Sequence, residues 1–188
     1  MEEEFSLMES KTTQKDDALN ERLEYALHQP SPSFIFHEIA KIASEHDPID
    51  LAHTVSRLPL DARFLVYENL PDLEAKVIFM VHTGSQTRAA VYAQLKDHEI
   101  QELLQSMAPD EAVSLLDDLS DRRMKRVLEG IDPLKAERIR SLAEHDRHTA
   151  GRLMTNEFFA FPMETSIGRV AAAIREHPGI DLARRLFV

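Results

Sequence analysis

A unit of about a dozen residues recurs through the middle of this chain, and it restricts the possible folds more than any other feature. Each unit opens on a turn residue and an acid, continues with apolar residues at helical spacing, and closes on a large aliphatic. The closing residues fall at Leu58, Leu70, Val81, Leu95, Met107, Leu119 and Ile131, at intervals of 12, 11, 14, 12, 12 and 12. Pro48, Pro59, Pro71, Pro109 and Pro133 stand at or near unit starts, where a missing N–H costs nothing. Asp132 before Pro133 reads as an N-cap followed by the first helical residue. Gly130 suits the left-handed position that ends a helix, and Gly84-Ser85 marks a looser turn in the longest interval. Helices this short are marginal in water alone. Each must bury its apolar stripe, and the regular recurrence predicts that it does so against the units before and after. The expected fold is all-α: a superhelical array of short helices, a HEAT/armadillo-like solenoid of either hand.

The flanks break the pattern. Residues 1–16 are polar and lack a periodic stripe, so they read as a loose leader, and the array is expected over 17–149. Beyond Arg152, Glu157-Phe158-Phe159-Ala160-Phe161-Pro162 reads as a short strand ended by proline. Thr165 or Ser166 caps a helix from Ile167 to about Glu176, and Arg184 to Val188 turns strand-like again. A strand and helix in this position cannot close a core of their own. Residues 150–188 therefore read as a junction and the front of a second domain.

Charge narrows the function classes. The chain of 188 residues carries a net charge of −11, which argues against nucleic acid as a partner. It contains no Cys, so a disulfide framework, a thiolate nucleophile and a thiolate zinc site are all excluded. No apolar run exceeds the five residues from Val77 to Val81, far short of the roughly 20 that span a bilayer. Met1-Glu2-Glu3-Glu4 is not the basic start of a signal peptide. The segment is thus expected to be soluble, without direct membrane insertion, and a membrane role would come from sequence beyond Val188.

The charge is also unevenly placed. Residues 97–121 hold eight carboxylates, Asp97, Glu99, Glu102, Asp110, Glu111, Asp117, Asp118 and Asp121, with no Lys or Arg. The following stretch is basic, with Arg122, Arg123, Lys125, Arg126, Lys135, Arg138, Arg140, Arg147 and Arg152. Projected at about 100° per residue, Ala112, Leu115, Leu116 and Leu119 share one side of a helix, while Asp110, Glu111, Ser114, Asp117 and Asp118 share the other. Two or three carboxylates on such a face, with water completing the shell, suit weakly bound Mg²⁺. Asp110, Glu111, Asp117 and Asp118 are the candidate metal ligands, with Asp110 the strongest. The competing reading is a solvated face: Asp110 and Glu111 complement the helix dipole by about 0.3–1 kcal/mol each, and Asp117 and Asp118 pair with Arg122 and Arg123.

Catalytic patterns are missing. Glu144-His145-Asp146-Arg147-His148 departs from the His-Glu-x-x-His zinc pattern and places an arginine beside the would-be metal. The chain has five glycines and no nucleophile elbow, phosphate loop or dinucleotide fingerprint. Paired carboxylates without a pocket or a raised pKa do not make a hydrolase. Phe34, Phe36, Phe64, Tyr67 and Phe79 fall at helical spacings and read as core. The chain is therefore read as non-enzymatic.

The run Ala150-Gly151-Arg152-Leu153-Met154-Thr155, followed by Glu157-Phe158-Phe159-Ala160, is similar to the junction between two cytosolic modules of the MgtE-type magnesium transporters. Pro109-Asp110-Glu111-Ala112-Val113-Ser114-Leu115-Leu116-Asp117-Asp118-Leu119 resembles the acidic helical repeat of that family's N domain, and Leu142-Ala143-Glu144 fits the turn ahead of the junction. The resemblance covers roughly Ala18 to Val188. It implies a superhelical N domain leading into a pair of CBS domains, at the cytoplasmic face of a multi-pass membrane protein. It further implies a homodimer held mainly through CBS contacts, in which regulatory Mg²⁺ bound between acidic N and CBS faces favours a closed pore. On this resemblance the partners are the protein's own CBS domains and transmembrane region. Asp110 matches the family's interfacial metal-binding acid. The acid one turn later is replaced by Ser114, and a further acid on an earlier helix aligns near Lys76 or Val77. The alternative is a soluble helical-repeat adaptor that binds a protein partner.

Overall fold

The computed structural model describes residues 16–146, 149–154, 159–176 and 186–187. The expected leader falls almost wholly outside these, as do His148 of the rejected zinc pair and 155–158 of the junction. The helices are α1 (16–27), α2 (Pro32–Glu45), α3 (Pro48–Thr54), α4 (Leu60–Glu68), α5 (Leu73–His82), α6 (Ser85–Gln94) and α7 (Asp97–Ser106). They continue as α8 (Pro109–Leu116), α9 (Asp121–Glu129), α10 (Pro133–Ala143) and the short α11 (Ala150–Leu153). The chain then forms β1 (Phe159–Ala160), α12 (Ile167–Glu176) and β2 (Leu186–Phe187). The all-α superhelical array is the fold observed.

Local chemistry sets the boundaries. Pro48, Pro109 and Pro133 are the first residues of their helices. Asp47, Asp72 and Asp132 accept the Ile49, Ala75 and Lys135 N–H groups at 2.8, 2.8 and 2.9 Å, closing otherwise orphaned donors. In α7 and α8 the third residue does this work from inside the helix. Glu99 accepts the Lys96 N–H at 2.7 Å and Glu111 the Ala108 N–H at 3.3 Å. The closing aliphatics sit in the turns: Leu58, Leu70, Leu95, Met107 and Ile131 are all buried just past a helix end. Leu119 lies in the α8–α9 turn but is only half-buried, and Val81 stands one residue inside the end of α5.

Three expectations are corrected. Phe34 and Phe36, read as core, are exposed. Gly130 has φ −102°, not a left-handed value. An added Cβ there would meet only the end of the Gln101 side chain, which donates to the Arg126 carbonyl at 3.4 Å and would have to swing aside. Nor does each helix pack chiefly on its immediate neighbours. The principal contacts join α2 to α4, α3 to α5, α4 to α6, α5 to α7, α7 to α9 and α8 to α10. Extended backbone at closing residues such as Leu58, Leu95 and Met107 redirects the chain at each turn. The long helix faces are left to meet helices two steps along. One continuous core results, with Phe79 and Met80 of α5 wholly buried at its centre.

Past the array, β1 pairs with β2 in parallel, Phe159 opposite Leu186 and Ala160 opposite Phe187, with α12 as the crossover. Phe159 and Phe161 stack at 5.9 Å. No residue of α12 is buried.

Candidate metal-binding face

The acid-rich segment occupies α7, α8 and the first turn of α9, and four of its eight carboxylates already have a task. Asp97 opens α7 and receives Arg126 Nε at 2.8 Å and Arg123 Nε at 2.9 Å. These hydrogen bonds, Arg126 first, hold the Asp97 carboxyl below the usual aspartate range. The same Arg123 donates to the Tyr92 and Leu95 carbonyls, so one guanidinium closes the C-terminal end of α6 and the start of α7 together. Glu99 is held by its own helix start.

The four candidate ligands divide. Asp118 forms an ion pair with Arg88 of α6, whose guanidinium also donates to the Thr83 carbonyl, and both ionic side chains are mostly covered. The anticipated pairing of Asp117 and Asp118 with Arg122 and Arg123 is thus replaced by Asp118 with Arg88 and by Arg123 with Asp97. Glu111 is engaged at the Ala108 N–H. Asp110, the second residue of α8, differs from both: its Oδ1 is buried and has no hydrogen-bond partner among the described residues. Asp117 stands at the C-terminal cap of α8.

Asp117 also lines an open groove of about 490 Å³ between the α8–α9 turn and the end of α10. Asp121, Glu144, His145 and Asp146 complete its polar wall, and Leu116, Leu119 and Met124 form the apolar floor. Sequence reasoning did not find this groove, because Glu144 and Asp146 follow the end of α10, two helices after α8. Among the described residues no group of three or more His, Asp or Glu side chains converges as a metal cage. The donor set therefore fits Mg²⁺ in part. An orphaned carboxylate oxygen is a hard donor of the right chemistry, and further ligands would have to come from water or a facing module.

Elsewhere two large buried polar side chains are satisfied within the protein. Arg63, 8% exposed, donates from Nε to the Leu58 carbonyl at 3.0 Å, from Nη1 to Thr87 Oγ1 at 2.8 Å and from Nη2 to the Ser56 carbonyl at 2.8 Å. Burial raises the Tyr92 hydroxyl far above the usual tyrosine range, and it donates to the Leu115 carbonyl at 3.3 Å. Neither group offers a reactive centre.

The family model of the MgtE intracellular N domain matches residues 46–148, α3 through α10 and more than half of the chain. The crystal structure of the cytosolic domain of the Mg²⁺ channel MgtE in complex with ATP is similar, with a TM-score of 0.67 and 21% sequence identity. The match covers 86% of this chain and 64% of that one, so the chain spans less than two thirds of its relative, and at this identity the likeness is one of fold. No curated protein matches. No helix among the described residues is long and apolar enough to cross a membrane. A superhelical array with this register, matched over eight consecutive helices, makes the chain a member of the MgtE intracellular N-domain family.

Proposed function

We propose that this chain is the cytosolic magnesium-sensing region of an MgtE-type transporter, a regulatory module without catalysis. Asp110 would supply the primary carboxylate, with Asp117 as the second candidate. Glu111 and Asp118 are demoted to supporting roles by their helix-cap and Arg88 contacts. The observation that carries this reading is the buried, unpartnered Oδ1 of Asp110, because a desolvated carboxylate oxygen without a donor is costly unless a cation or protein group meets it. The parallel β1-α12-β2 segment supports the further reading that 150–188 opens a CBS domain. The protein's own CBS modules would then provide the opposing ligands, and a homodimer through them follows from the same reading.

What bound Mg²⁺ supplies is neutralisation of carboxylates on two facing modules. The chain's own part is to hold Asp110 rigidly at the start of α8, whose floor of Ala112, Val113, Leu115 and Leu116 is buried. Without a cation the facing acids repel, and the compact arrangement loses population. A ligand that binds only that arrangement stabilises it by about 2.7 kcal/mol at a hundredfold excess over Kd, enough to shift a two-state balance.

The test is a Mg²⁺ titration of this chain followed through backbone amide shifts, against NaCl at matched ionic strength. Saturable shifts across 109–121 that vanish in Asp110→Ala are expected. Shifts that NaCl reproduces, or that survive the substitution unchanged, would overturn the assignment.

A further inference from the structure

A cavity of about 240 Å³ opens between α4, α5 and α7, away from the α8–α10 groove and with a different lining. Its apolar wall includes Phe64, Leu73 and Leu103, and its rim carries Glu68, Asp72, Glu99 and Glu102. Tyr67 lines it too. That residue is only 3% exposed, yet its hydroxyl has no hydrogen-bond partner among the described residues. Its ring is fixed by Phe64, stacked at 6.1 Å, and by Phe79, tilted at 6.0 Å. Burial holds the hydroxyl protonated, and the Glu99 and Glu102 charges act in the same direction. A nearly buried phenol whose polar tip borders a cavity leaves that tip to whatever fills the cavity, water or a ligand.

The cavity already shows which sign of charge it accepts. Lys76 places its Nζ 5.4 Å from the Tyr67 ring centroid, a cation–π contact, and forms no ion pair with the rim carboxylates. Asp72 and Glu99 are partly engaged as helix caps. Glu68 and Glu102 carry no hydrogen bond or ion pair among the described residues. Four carboxylates against one ammonium leave the rim anionic. The walls beneath it are aromatic and aliphatic, unlike the all-oxygen surroundings that Mg²⁺ prefers.

We propose that this cavity receives an organic cation, a guanidinium or alkylammonium group on an apolar stem. The stem would lie along Phe64, Leu73 and Leu103. The charged head would donate to the Tyr67 oxygen and to Glu102, contacts that combine apolar burial with charge-assisted hydrogen bonds. The same chemistry is offered by a free small amine and by a basic side chain of another polypeptide segment.

Agmatine and N-acetyl-arginine amide, titrated against the whole chain and followed by ring resonances of Tyr67 and amide shifts of Leu103, separate the two sources. Saturable, mutually competitive shifts are expected, with agmatine tighter for a free amine and the blocked arginine tighter for a side chain. Tyr67→Phe and Glu102→Gln should each weaken binding by about tenfold. Lys76→Gln should tighten it by removing a competing cation. Asp110→Ala should leave it unchanged, so that failure here is distinct from failure of the magnesium reading. Absence of saturation at millimolar ligand, or equal binding by Tyr67→Phe, Glu102→Gln and the unaltered chain, would overturn the proposal.

Discussion

Among individual residues, the arginines decide what the acidic segment is free to do. Arg88, Arg123 and Arg126 come from α6 and α9, outside the run of eight carboxylates, and they take Asp118 and Asp97 out of the anionic surface. Asp97 carries a testable consequence. Its carboxyl is held below the ordinary aspartate range by Arg126 and then Arg123. A depressed folded-state pKa means that the stabilisation is present above the unfolded pKa of about 3.9 and is lost as pH falls through the folded value. Thermal melts should therefore show the unaltered chain losing stability faster than Asp97→Asn as pH drops below about 4, the two curves converging in acid. Parallel curves would mean that the pairing does not matter to folding. The local sequence could not announce these pairs: Asp97 and Arg123 are 26 positions apart, and Arg88 and Asp118 are 30 apart. The acids were legible as a cluster, and their partners were not.

At the level of single helices the sequence was far more explicit, because starts and stops are local chemistry. Asp132-Pro133 forms the cap and first residue of α10, with the Asp132 carboxylate on the Lys135 N–H at 2.9 Å. Ser31 and Ser120 occupy equivalent positions before α2 and α9 but make no side-chain cap bond. The residue type alone therefore overstates the capping. Asp132→Ala should cost about 1 kcal/mol, whereas Ser120→Ala should cost only a few tenths. Chemical denaturation of the two variants checks this, and equal losses would show that the Asp132 contact contributes nothing specific. Gly130 illustrates the opposite error. Its place after a helix is legible in the sequence, but the expected left-handed turn is absent, and what crowds the position is the movable Gln101 side chain of α7. A contact from two helices away cannot be seen in a local pattern.

Across the whole molecule these misses share one cause, the step between helices that pack. Arg63 reaches Thr87 at a separation of 24, Tyr92 reaches Leu115 at 23, and Lys135 reaches the Gln105 and Met107 carbonyls at 30 and 28. Every one of these spans about two of the dozen-residue units. The repeat length was visible in the closing aliphatics, but the step was not, since adjacent and next-but-one packing bury the same periodic stripes. The step has an energetic consequence. α5 has principal contacts with α3, α7 and α8, whereas α10 meets α8 and α9 and has no principal contact with α5. Phe79, wholly buried in α5, should cost about 3–5 kcal/mol when cut to alanine. In an array stabilised by local interfaces between helices two steps apart, that loss should be felt unevenly. Native-state hydrogen exchange of Phe79→Ala should show the largest gain in amide exchange in α3, α5 and α7, and the smallest in α10. Equal acceleration in every helix would instead identify a single cooperative unit. The rigidity of α8 beneath Asp110 would then depend on the entire array, and not on the few helices that touch it.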